Sequence, residues 1–121
     1  MSQCYIMLDT ETGTLEPVMI EDYKDINEHL KSRCFDVTRR KIGNIIYDLF
    51  VDDEGLLKKD SIPSAINRKG EVVLVGNIIF AKHDSDGEMI TTNTMEDFNI
   101  LHNMAFGRYN DRIISVVVLK E

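Results

Sequence analysis

Tryptophan is absent from this chain, and proline and cysteine occur only twice each. Without tryptophan, and with few aromatics between its basic clusters, the chain has little with which to stack exposed bases. Cys4 and Cys34 are too few for a disulfide-stapled domain; each sits beside apolar residues, as reduced core thiols do. No Cys-x-x-Cys or Cys/His pair has the spacing of a zinc site. No apolar run approaches the ~20 residues that cross a bilayer. Met1-Ser2-Gln3-Cys4-Tyr5 lacks the basic region and apolar run of a signal peptide. A phosphate-binding glycine-rich loop and a dinucleotide fingerprint are missing as well. These absences point to a soluble cytoplasmic protein with no cofactor, no metal and no membrane association.

What is present is an ordinary globular composition, 43% hydrophobic and 29% charged, over 121 residues. That length predicts one domain, residues 1–121, able to form a modest core unaided. The net charge is −7 and is unevenly distributed. Residues 1–28 hold Asp9, Glu11, Glu16, Glu21, Asp22, Asp25 and Glu28 against Lys24 alone. Residues 29–82 are net basic and include Arg39-Arg40-Lys41, Lys58-Lys59 and Arg68-Lys69; the remainder is acidic again. Such a chain repels nucleic acid at long range but attracts a basic protein surface. The plainer reading of the same charge is solubility.

Two β-branched runs organise the pattern, Asn44–Val51 and Val72–Phe80. Both read as buried strands, and the second, apolar at nearly every position, as a central one. They share an echo, Gly43-Asn44-Ile45-Ile46-Tyr47 and Gly76-Asn77-Ile78-Ile79-Phe80, which reads as recurrent strand grammar rather than duplication. Residues 4–8 form a first strand, and 15–20 a second that Pro17 marks as an edge. Asp22 caps a short helix, about 23–32, with Asp25 at its third position. Residues 34–42 pair with 44–51 as a hairpin through Gly43. Leu56-Leu57 is expected to return as a short strand. Residues 58–70 are expected to be irregular, broken by Pro63, with Ile62 and Ile66 pinning the loop to the core. Residues 89–92 complete a hairpin with 72–80. Thr94 caps a second helix, 94–106, closed by Gly107, and 112–119 is a further central strand. The fold class is α+β: a mainly antiparallel sheet of about six strands with two helices packed on one face.

Chemical motifs are few. Asp84-x-Asp86-Gly87 lacks the further ligands of a calcium loop and reads as a hairpin turn. Asp52-Asp53-Glu54 reads as a solvated acidic turn. His29, His83 and His102 have no nucleophile at a telling spacing, and the expectation is that the protein is not an enzyme.

Asn44–Val51, the Asp-Asp-Glu-Gly-Leu turn, the Ile-Pro-x-x-Ile-Asn-Arg loop, Gly70, and the Val-Gly-Asn-Ile-Ile-Phe strand followed by Asp-Gly-Glu occur in that order. This order resembles the small domain-of-unknown-function family 3846 of phages, plasmids and other mobile elements, over about residues 22–98. Residues 62–68 are stretched relative to that family's loop. The resemblance implies a setting and no catalytic residues. A small acidic protein in that setting suggests a non-enzymatic inhibitor of a host defence system, anti-CRISPR-like or antirestriction-like. It would bind a host protein with a basic, nucleic-acid-binding groove through Asp9, Glu11, Glu16, Glu21, Asp22, Asp25 and Glu28. The alternative is a module that sequesters a small anionic nucleotide signal with Arg39, Arg40, Lys41 and Arg68. A third reading is a structural or interaction protein. Six methionines and an edge strand offer surface for a homodimer.

Overall fold

The computed structural model describes residues 3–58 and 60–120. The chain runs β1 (Gln3–Asp9), β2 (Thr14–Ile20), α1 (Tyr23–Leu30), β3 (Phe35–Ile42), β4 (Ile45–Asp52), a 3-10 turn (Gly55–Leu57), β5 (Pro63–Ile66), β6 (Val72–Val75), β7 (Ile78–His83), β8 (Met89–Ile90), α2 (Met95–Leu101), β9 (Ala105–Tyr109) and β10 (Arg112–Val118). A larger antiparallel sheet has the order β2-β1-β7-β4-β3, with β8 beside β7; a smaller one has the order β6-β5-β10-β9. In the smaller sheet β5 and β10 run parallel.

Alternation along the strands of the larger sheet divides the core in two. One face carries Ile6, Leu8, Tyr47, Leu49, Ile78 and Phe80, and packs against Ala65 and Val117 of the smaller sheet and Leu101 of α2. The other carries Tyr5, Met7, Val18, Phe50, Ile79 and Ala81, and packs against Ile26 and Leu30 of α1. The two helices therefore cover opposite faces of the larger sheet, where the sequence pattern predicted one. The second sheet takes the place of a helix layer, and a pattern of apolar positions does not distinguish which partner covers a face.

The edge position of β2 and the 35–52 hairpin stand as expected. The Asp22 cap also forms: Asp22 Oδ1 accepts from the Lys24 and Asp25 amides, while Asp25 Oδ2 accepts from those of Glu21 and Asp22.

Four further expectations are corrected. The run 72–80 is not one strand. It breaks at Gly76, whose φ of +81° is left-handed, and the chain passes from the edge of the smaller sheet (β6) to the centre of the larger (β7). Asn77 locks the crossing: its Oδ1 accepts from Thr10 N and Oγ1, and its Nδ2 donates to His29 O. The supposed irregular loop contains β5, an interior strand. Pro63 is tolerated because β10 pairs only with Ala65 and Ile66, so no ladder bond to β10 is asked of the proline. Leu56 and Leu57 form a 3-10 turn and are exposed rather than returning as a strand. The second helix stops at Leu101, and Gly107 lies within β9 instead of capping it. Residues 105–109 pair with β10 around Asn110-Asp111, both at positive φ, the pair of conformations a two-residue hairpin turn requires.

The Gly-Asn-Ile-Ile echo acquires a physical meaning. Gly43 and Gly76 both adopt positive φ, and each launches a strand, β4 and β7, that neighbour one another. Tyr47 and Phe80, the fifth residues, meet edge to face with centroids 6.3 Å apart.

No helix among the described residues is long and apolar enough to cross a membrane.

Candidate functional site

The acidic and basic groups singled out in the sequence lie on different elements of the fold. At the β2 edge, α1 leads back toward the β1–β2 turn, and Lys31 at its C-terminal cap reaches Glu11 at 3.1 Å. All seven acids of the first segment thus lie on or beside β2 and α1. Glu11, Glu21, Asp22 and Glu28 are exposed; Asp9, Glu16 and Asp25 are half-buried. Burial holds the Glu16 carboxyl above its ordinary value, with the neighbouring Asp9 charge and an Asp9 hydrogen bond pushing the same way and His29 opposing. The backbone amides of Glu21 and then Asp22 hold Asp25 below its ordinary value. Asp22 and Asp25 are committed to the helix cap and Asp9 Oδ1 accepts the Glu11 amide at 3.0 Å, so these three supply field more than free oxygens.

At the opposite edge, β3 splits its basic run by alternation. Arg39 projects to the α1 face, where its Nε donates to Asp48 Oδ1 at 3.2 Å, and Lys41 follows it to that face by register. Arg40 projects to the other side, with Ile42 and the smaller sheet. The four cations of the anionic-ligand reading are therefore not one group: Arg40 and Arg68 share a concavity, whereas Arg39 and Lys41 do not line it. Lys69 and Lys120 join Arg40 and Arg68 in a cleft of about 210 Å³.

Arg68 and Lys120 also border a cleft of about 620 Å³, walled by the β3–β4 turn, by the end of α2 and by the loop after it. Its polar groups include Asn44, Asn99 and Asn103; its apolar ones include Ile100 and Met104. Lys120 N donates to Lys41 O and Leu119 N to Ile66 O, each at 2.8 Å, so the chain after β10 forms a floor pinned to both sheets. Gly43 is needed at the wall: a Cβ there would stand 3.0 Å from Ile100 Cγ2. Lys120 and the three asparagines are additions to the residues singled out from sequence. The legible signal was Asn99-x-x-x-Asn103, one helical turn apart at a helix end.

Two polar networks lie inside the sheets. Asp97, fully buried, accepts from Tyr47 Oη at 2.8 Å, Thr94 Oγ1 at 2.7 Å and Lys82 Nζ at 2.9 Å. Burial, then the Asp97 bond and charge, raise the Tyr47 phenol far above its ordinary value, so it stays a donor. Asp48 binds Arg39 and, through Oδ2, His83 Nδ1 at 3.0 Å. None of these groups lines the clefts just described, and their chemistry is that of fastening strands and helix together. Among the described residues no group of three or more His, Cys, Asp or Glu could hold a metal ion. Compared with family models, with curated proteins and with solved structures, the chain finds no match.

Proposed function

We propose that this protein is a non-enzymatic binding protein that docks a basic host protein against the carboxylates of the β2 edge and α1. The observation that carries this reading is the grouping of the seven acids on β2, its turn with β1, and α1, apart from Arg40, Arg68, Lys69 and Lys120, which line a cleft beyond β3. The field of such a grouping orients an approaching basic groove and speeds its encounter. The net charge of −7 disfavours direct nucleic-acid binding. In the phage or mobile-element setting that the resemblance to family 3846 implies, the fitting partner is a nucleic-acid-binding protein of a host defence system. The protein would act in the cytoplasm as an anti-CRISPR-like or antirestriction-like inhibitor, occupying the groove that nucleic acid otherwise fills.

The test replaces Glu11, Glu16, Glu21 and Glu28 together by Gln. Glu11, Glu21 and Glu28 are exposed and add little stability, and neutralising the half-buried Glu16 removes a desolvated charge, so the fold is retained. A partner captured from host lysate should be displaced by duplex DNA. Its association should slow by about tenfold or more for the variant, and raised salt should reproduce the effect on the unmodified protein. Association indifferent to salt and to the four substitutions would refute the reading.

A further inference from the structure

The clefts at the β3 edge reverse the sign of the molecule. In a chain of net charge −7, Arg40, Arg68, Lys69 and Lys120 line the smaller one against a single carboxylate, Glu71. Glu71 is already engaged, accepting from Asn67 Nδ2 at 3.0 Å. Among the described residues, no carboxylate forms an ion pair with any of the four cations. Four cations facing one carboxylate leave the cleft with an excess of positive charge, which an anion would offset.

The adjoining larger cleft has a different chemistry. Asn44, Asn99 and Asn103 are exposed there beside an apolar shelf that includes Ile100 and Met104. An amide presents a donor and an acceptor side by side, the complement of a purine or pyrimidine edge. A shelf of Ile and Met accepts the flat face of such a ring. Because Arg68 and Lys120 border both spaces, one ligand can span them. Volumes of about 620 and 210 Å³ lie within the range of small-molecule sites.

We propose that this paired cleft binds a nucleotide, its phosphate held by Arg68 and Lys120 with Arg40 and Lys69 in support, and its base lying between the asparagines and the Ile100–Met104 shelf. Guanidinium and ammonium groups together suit phosphate oxygens, the first as a fork and the second as a point charge. The Lys120 backbone is held by the bond to Lys41 O, so its side chain departs from a fixed point between the two clefts. The site is independent of the acidic edge, and the two readings stand or fall separately.

The experiment is calorimetric titration of the full chain with AMP, GMP, CMP, UMP and the cyclic monophosphates of adenosine and guanosine, with pyrophosphate and adenosine as references. At least one nucleotide should bind with a Kd below about 1 mM, more tightly than pyrophosphate or adenosine. The double variant Arg68→Gln, Lys120→Gln should weaken it tenfold or more, whereas Arg68→Lys should retain part of the affinity. Asn99→Leu with Asn103→Leu should weaken the nucleotide but not pyrophosphate. All four residues are exposed, so melting temperatures should stay unchanged and report on folding. The variant lacking the four glutamates should bind the nucleotide as before. No binding by any nucleotide at 10 mM, pyrophosphate binding as tightly as every nucleotide, or binding untouched by the Arg68 and Lys120 changes would each overturn the assignment.

Discussion

The hydroxyl of Tyr47 donates a 2.8 Å hydrogen bond to Asp97, 50 residues away in sequence, and by it ties β4 to the first turn of α2. The same carboxylate holds Thr94 and Lys82, so one fully buried side chain joins α2 to the neighbouring strands β4 and β7 of the larger sheet. Removing the donor alone leaves the acceptor with two partners. Tyr47→Phe should cost about 1–3 kcal/mol in denaturant unfolding, the penalty of an unsatisfied buried group. Asp97→Ala strips the acceptor from three donors, one of them an ammonium, and should cost about 3–5 kcal/mol. Equal costs for the two would mean the network does not centre on Asp97.

The acidic edge should leave opposite pH signatures at two of its members. Glu16 has a folded value raised by burial and by Asp9, so the folded state binds its proton more readily than the unfolded one. Its charged form opposes folding above the raised value, and the penalty disappears as pH falls toward the ordinary 4.5. Glu16→Gln should therefore raise the melting temperature at pH 7, with a gain that shrinks on acidification through that window. Asp25 is held low by the Glu21 and Asp22 amides, so its stabilisation is complete above the ordinary 3.8 and is lost as pH falls through the lowered folded value. Asp25→Asn should lower the melting temperature at pH 7 and approach the original protein in acid. Melting curves between pH 3 and 7 decide it; parallel curves for the two variants contradict the assignment.

Val117 lies in β10 between β5 and β9 and is 1% exposed. Val117→Asp buries a carboxylate in the apolar cluster that includes Ala65 and Leu119, which should cost on the order of 3 kcal/mol or more and unfold a marginal domain. An unchanged melting temperature would remove β10 from the core.

Gly43 and Gly76 share a left-handed backbone, φ +62° and +81°, but differ in surroundings. Nothing stands within 4 Å of a Cβ at Gly76, so Gly76→Ala should cost the backbone penalty alone, about 1–2 kcal/mol. At Gly43 a Cβ also meets Ile100 at 3.0 Å, so Gly43→Ala should cost more and displace the cleft wall. Denaturation midpoints rank the two.

Period-2 alternation carried a good part of the fold in the sequence. Together with β-branched and apolar runs bounded by turn residues it set out β1, β2, the β3–β4 hairpin and β10, and Asp22 with Asp25 announced the start of α1. These features depend on neighbours within a few residues, which the order of amino acids states directly. Less legible was the break at Gly76. An apolar run with one glycine looks the same whether it is one bulged strand or two strands in different sheets. The choice lies with Asn77, whose partners Thr10 and His29 are 67 and 48 residues distant. Ala105–Tyr109 was misjudged for a related reason: the Met95, Phe98, Leu101 and Ala105 spacing suits a helix, and only pairing with β10 outweighs it.

The candidate sites divide in the same way. The acidic segment was visible as a run, because consecutive elements 1–28 fold next to one another. The basic run 39–41 was visible too, but a strand sends alternate residues to opposite faces, so its members part company once β3 is formed. Sequence alone determined the alternation, the helix N-caps Asp22 and Thr94 and the sign of each charge, all of which are local physics. Only the tertiary structure decided that the helices take opposite faces, that β6 and β7 belong to different sheets, and that Arg40, Arg68, Lys69 and Lys120 meet. Those outcomes follow from which distant surfaces bury one another, a free energy that no stretch of chain holds by itself.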